Sequence, residues 1–115
     1  MTMIIPKDAI IAVEKMRDYL LKPLEIDDKS GFLELAGYTR EDHIRLLDDI
    51  REQLLPGEGQ LQMSTPFGDR FELDGRLRGP SGEPLFIRTI WQRSPKGTWS
   101  FITLFPNTKG RTYEL

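Results

Sequence analysis

The strongest constraint on this chain is a switch in its apolar period at Pro56-Gly57. Before that point hydrophobic residues recur every three or four positions, and after it they alternate with polar ones. The first pattern gives a helix one apolar stripe and the second gives a strand one apolar face, so neither half can bury its hydrophobic surface alone. The expected solution is α+β: helices over about residues 7–55 packed on one face of a four-stranded antiparallel sheet over about residues 60–106, with a short tail at 107–115. A chain of 115 residues, 38% of them hydrophobic, is long enough to do this as one domain.

In the first half, Ile10, Val13, Met16, Leu20 and Leu21 predict a helix over residues 13–22, which Pro23 ends. Asp28 as N-cap, the apolar set Phe32, Leu33, Leu35 and Ala36, and Gly37 as terminator predict a short second helix. Thr39 and Asp42 resemble a capping pair for a third helix whose apolar face is read as Ile44, Leu47, Ile50 and Leu54. Pro56-Gly57-Glu58-Gly59 reads as a flexible break.

Leu61 and Met63, then Phe71, Leu73 and Leu77, then 85–91 and 99–105 read as strands. Turns at 65–69, 79–82 and 95–97 join them into a meander.

With no cysteine, the chain can form no disulfide, thiolate nucleophile or Cys-based zinc site. No phosphate loop, no Gly-x-Ser-x-Gly elbow and no metal-ligand spacing occurs, so neither metal nor cofactor is expected. Asp48 and Asp49 are adjacent on a helix and diverge, which removes paired-carboxylate chemistry. The start of the chain carries no basic leader and no run reaches membrane-spanning length, so a cytoplasmic protein without membrane contact is expected.

The net charge of −2 divides unevenly: residues 1–55 hold 8 Lys and Arg against 12 Asp and Glu, and residues 56–115 hold 8 against 6. The sheet half can therefore present a mildly positive surface on an acidic body.

Six stretches are specific enough to compare with known families: Glu14-Lys15-Met16-Arg17-Asp18-Tyr19-Leu20-Leu21, the Lys29 to Tyr38 segment, Thr65-Pro66-Phe67-Gly68, Gly79-Pro80-Ser81-Gly82, Arg88-Thr89-Ile90-Trp91 and Phe101-Ile102-Thr103-Leu104-Phe105-Pro106. Together they resemble a family of small uncharacterised bacterial domains found alone or at the end of larger secreted toxins. By fold analogy that family is similar to the Barnase, EndoU, colicin and RelE-like toxin ribonucleases. The resemblance implies metal-independent RNA cleavage, an RNA substrate, and an antitoxin or immunity protein as partner. It carries over best to Lys29, Arg88 and Thr103 as catalytic residues; Arg78 and Trp91 are expected beside them as substrate-binding residues. Phe67 stands where relatives often have Tyr, and a single histidine excludes a two-histidine mechanism.

Each candidate also has a plain structural reading. Arg88, expected on the face of Phe86 and Ile90, suits a phosphate but equally an ion pair. Thr103, read as sharing a face with Trp99, Phe101 and Phe105, suits a phosphate oxygen but also simply favours a strand. Lys29 is a cation or base, or a solvated lysine at a helix start. Trp91, Trp99 and Phe67 are base platforms or core. His43, among charged neighbours, is expected to be exposed and dispensable. The competing reading of the whole is a non-catalytic module that docks a protein on its sheet face.

Overall fold

The computed structural model describes residues 1–23 and 29–107. The order is β1 (Thr2–Ile5), α1 (Val13–Lys15) running on as a π-helical stretch (Met16–Leu20), α2 (Ser30–Glu34), a 3-10 turn (Arg40–Asp42), α3 (His43–Leu54), then β2 (Gly57–Thr65), β3 (Gly68–Arg78), β4 (Pro84–Arg93) and β5 (Trp99–Pro106). The strands form one antiparallel sheet of five in the order β1-β2-β3-β4-β5. The meander and its three turns match the sequence expectation, but the expected four strands are five. Thr2–Ile5, too short to show a period, pairs with β2 from Thr2 opposite Gln60 to Ile5 opposite Gly57.

That pairing also corrects the reading of Pro56–Gly59 as a break, because β2 starts at Gly57. Its glycines serve packing. A Cβ on Gly57 would come 2.6 Å from the Leu54 carbonyl, and one on Gly59 would come 2.7 Å from Ile5 Cδ1. The missing side chains let β1 and the end of α3 close onto the sheet.

The helices follow their apolar stripes with one change of phase. Met16, Leu20 and Leu21 are buried as expected. On α3 the buried stripe is Leu46, Ile50 and Leu54, whereas Ile44 is 53% exposed. The Thr39–Asp42 box exists, and it caps the 3-10 turn ahead of α3 rather than α3 itself. Gly37 adopts a positive φ of 90° just after α2, as a helix terminator should. The Asp28 cap lies outside the described residues.

After β1, the chain crosses the core side of the sheet with Ala9 and Ile11 buried, and Ile10 forms a parallel bridge with Ser100 on β5. One short segment thus touches both edges of the sheet. The sheet curls enough that Phe71 on β3 and Trp99 on β5 meet with ring centroids 5.0 Å apart. Helices, crossing segment and core all occupy this face, and among the described residues nothing packs over the other.

Two bulges decide which residues reach the open face. Leu61 faces Phe71 and Met63 faces Arg70, so Gln62 is the extra residue in β2; Phe101 faces Trp91 and Thr103 faces Ile90, so Ile102 is the extra residue in β5. Each insertion reverses the alternation beyond it. Met63 is therefore 51% exposed instead of packing against the core with the partly buried Leu61, and Thr103 and Phe105 leave the face of Trp99 and Phe101.

Candidate functional site

Cross-strand partners share a face, so the register defines the open surface. Along β3 it carries Arg70, Glu72, Asp74, Arg76 and Arg78; β4 adds Phe86, Arg88, Ile90 and Gln92, and β5 adds Thr103 and Phe105.

Arg88 is bonded through two nitrogens to one carboxylate on this face. Its Nε donates to Asp74 Oδ1 at 2.7 Å and its Nη2 to Asp74 Oδ2 at 2.9 Å, a bidentate pair across the strands. Glu72 Oε2 stands 3.7 Å from the same Nε. Arg88 and Glu72 are largely shielded, with side chains 19% and 23% exposed, while Asp74 is 45% exposed. The hydrogen bond to Asp74, and then the charges of both carboxylates, raise the Arg88 pKa against the effect of burial.

The surroundings are unevenly partnered. Gln62 Nε2 approaches Glu72 Oε2 at 3.5 Å, and the Arg76 guanidinium lies 5.5 Å from the centroid of Phe86. Arg70 Nε is buried with no hydrogen-bond partner among the described residues.

Thr103 shares this face and sits diagonally from Arg88, since Ile90 opposite Thr103 is two residues along β4. Their polar ends diverge. Arg88 turns toward β3, whereas Thr103 Oγ1 lies 3.2 Å from the Tyr19 hydroxyl at the β5 edge. There Glu14, Lys15, Asp18, Tyr19, Ile102 and Thr103 line an open groove of about 370 Å³. Lys15 Nζ donates to the carbonyl of the bulged Ile102 at 2.8 Å. The guanidiniums of Arg17 and then Arg40 hold the Asp18 carboxyl down at about 2, well below its usual value.

The other expected residues lie apart. Arg78 has its Nη1 on the Gly82 carbonyl at 2.6 Å, four residues along β3 from Asp74 and hence about 13 Å from the centre of the site. Trp91 is fully buried; its indole N–H donates to Thr89 Oγ1 at 2.7 Å, and its ring meets Phe101 edge-on. Lys29 precedes α2, its carbonyl accepting from Leu33 N–H, and no described contact joins it to Arg88 or Thr103. Phe67 is 78% exposed at the β2–β3 tip, and Trp99 is core. His43 is half-buried, not exposed, with Nδ1 3.1 Å from the Arg40 carbonyl.

The structure adds Glu72, Asp74, Arg70 and Tyr19 to the candidates. The first three were legible as charges at every second position from 70 to 78.

Fold and site together define an α+β protein with helices on one face of a curled antiparallel sheet and an Arg-carboxylate centre on the other. The chain belongs to the family described as a domain of unknown function (DUF6883), whose pattern matches residues 6–108. The structure is similar to a chain of the contact-dependent growth inhibition toxin–immunity protein complex from Klebsiella pneumoniae 342, with a TM-score of 0.63, 15% identity, and coverage of 86% of this chain and all of that one. At that identity the likeness concerns the fold. No curated protein matches the sequence. Among the described residues no helix is long and apolar enough to cross a membrane.

Proposed function

We propose that this chain is a toxin-type domain that cleaves RNA without a metal, on the open face of its sheet. The observation that carries the reading is the pairing of Glu72 with Arg88, both shielded, on the sheet face that the described residues leave uncovered. The fold likeness to a chain of a toxin–immunity complex supports the biological class.

The chemistry follows from the groups. A Glu72 carboxylate oxygen takes the proton of an RNA 2′-hydroxyl, and the 2′-oxygen attacks the adjacent phosphorus. Arg88 offsets the charge that grows on the equatorial oxygens, Thr103, whose hydroxyl turns to Tyr19 at the β5 edge, contacts a neighbouring part of the RNA, and the 5′-oxygen leaves with a proton from solvent. The products are a 2′,3′-cyclic phosphate and a 5′-hydroxyl. Arg78, farther along the same face, contacts the RNA backbone, and buried Trp91 supports β4 from below. Lys29→Ala tests whether the helical half adds a phosphate contact. An immunity protein that covers this face would block the reaction.

The test is RNA cleavage by purified protein in EDTA, wild type beside Arg88→Ala. Wild type should yield cyclic-phosphate ends, and the variant should be slower by about two to three orders of magnitude with a melting temperature within a few degrees of wild type. Intact RNA with wild type overturns the reading. A second reading, a non-catalytic module that docks a protein, draws on the exposure of Phe67 and Met63 at the β2–β3 end of the sheet.

A further inference from the structure

We infer that the Arg88 guanidinium is a phosphodiester-binding fork whose resting ligand is the protein's own Asp74, which substrate displaces. The inference deepens the ribonuclease reading by assigning the phosphate site and the residue that gates it. A carboxylate bonded through both oxygens to Nε and Nη2, at 2.7 and 2.9 Å, occupies the positions that two phosphate oxygens take on an arginine fork.

The two acids around Arg88 are not equivalent. Glu72 is shielded and stands 3.7 Å off, so it stays beside Arg88 without filling the fork. Asp74 fills the fork but is 45% exposed on an open face, and an ion pair so hydrated contributes little stability. Its carboxylate can swing into solvent at small cost, which frees both donors on a largely shielded arginine that keeps the Glu72 charge 3.7 Å from its Nε. With both acids in place the centre carries one positive and two negative charges and repels a polyanion. With Asp74 displaced, both fork donors of Arg88 face the open surface, with Glu72 the one carboxylate still within 4 Å of that guanidinium among the described residues. Asp74 therefore sets a threshold: weak or monovalent anions leave the pair intact, and a chain of phosphates opens it.

The experiment measures binding of a 2′-O-methylated oligoribonucleotide, which lacks the 2′-hydroxyl and so reports affinity without turnover. Asp74→Asn should bind about tenfold tighter than wild type at the same salt concentration, and Asp74→Ser should do the same. Asp48→Asn, which removes an exposed charge from α3 on the helical side of the sheet, should change affinity less than about twofold. In an Arg88→Gln background Asp74→Asn should add nothing. Equal tightening by Asp48→Asn would reduce the effect to net charge and overturn the inference, as would unchanged or weaker binding by both Asp74 variants. If Asp74→Asn tightens binding through Arg88 while wild type leaves RNA uncut, the fork stands and the ribonuclease reading falls. If wild type cuts RNA and Asp74→Asn binds no tighter, the reverse holds.

Discussion

Tyr38 shows how one polar atom is held in the core of this protein. Its side chain is fully buried, and its hydroxyl donates to Asp49 Oδ2 at 2.6 Å, with the Arg78 carbonyl at 3.5 Å. Burial, and then the negative Asp49 beside the hydroxyl, push its pKa far above the usual 10.0. Folding thus favours the protonated phenol. The stability this contributes is complete below the unfolded value of about 10 and falls as pH rises beyond it. In an alkaline titration followed by tyrosinate absorbance, Tyr38 should ionise only as the protein unfolds, and a normal titration of every tyrosine in folded protein would contradict the geometry. Tyr38→Phe should lower the unfolding free energy in urea by about 1.5–3 kcal/mol, because a hydrogen bond to a charged acceptor is lost. At the same scale the sequence placed Arg88 on the face of Phe86 and Ile90, where the register puts it. It did not identify Asp74 and Glu72 as its neighbours, since cross-strand partners depend on register, which period-two patterning leaves open.

Turn chemistry made the β2–β5 meander legible, because Pro66, Gly79-Pro80, Gly82 and Gly97 mark chain reversals whatever the tertiary context. The two bulges were not legible. Gln62 and Ile102 are ordinary strand residues, and only pairing with β3 and β4 shows that each is one too many. The Ile102 insertion places Thr103 on the open face, so the candidate site itself depends on a feature that alternation conceals. β1 was missed for a related reason, since four residues are stabilised by the glycine-bearing edge of β2 rather than by their own pattern. Glycines offer a signed check on element packing. A Cβ on Gly79 would come 2.5 Å from the Tyr38 ring and 2.6 Å from the Ala36 carbonyl, where the β3–β4 turn docks through Ser81 N–H onto that same carbonyl. Gly79→Ala should therefore cost about 1–3 kcal/mol by overpacking. Gly31, inside α2 with nothing within 4 Å of a Cβ, should instead gain about 0.5–1 kcal/mol on substitution by Ala. Urea unfolding of both variants measures the contrast, and equal effects would refute the packing account.

For the whole molecule, the period switch implied two halves stacked face to face, and the structure shows what fastens them. The segment from Ile5 to Ile11 leaves β1 on one edge of the sheet, crosses the core side, and reaches β5 on the other. Ile10 N–H donates to the Trp99 carbonyl at 2.9 Å, and Phe101 N–H donates to the Ile10 carbonyl at 2.8 Å. The crossing is held from the helical side by Arg51 of α3, whose Nη1 donates to the carbonyls of Lys7 at 2.5 Å and Ala9 at 2.9 Å. One side chain thus joins the helix layer to a strap that touches both edges of the sheet, and the strap occupies the face opposite Arg88. Replacing Arg51 by Met keeps much of the aliphatic stem and removes both donors. The variant should lose about 1–3 kcal/mol of stability, the scale for charge-assisted hydrogen bonds to partly buried carbonyls. The loss should be regional before it is global. In native-state hydrogen exchange the Ile10 and Phe101 amides should exchange faster, while amides between β3 and β4, such as Leu73 and Ile87, keep their protection relative to global unfolding. Uniform acceleration across the sheet would show that Arg51 supports the fold as a whole. Unchanged exchange at Ile10 and Phe101 would show that the strap is held by burial of Ala9 and Ile11 alone. Because Arg88 and Glu72 lie on β4 and β3, the expected pattern leaves RNA cleavage by Arg51→Met within a few-fold of wild type at temperatures below its melting transition, and the open face works independently of the strap behind it.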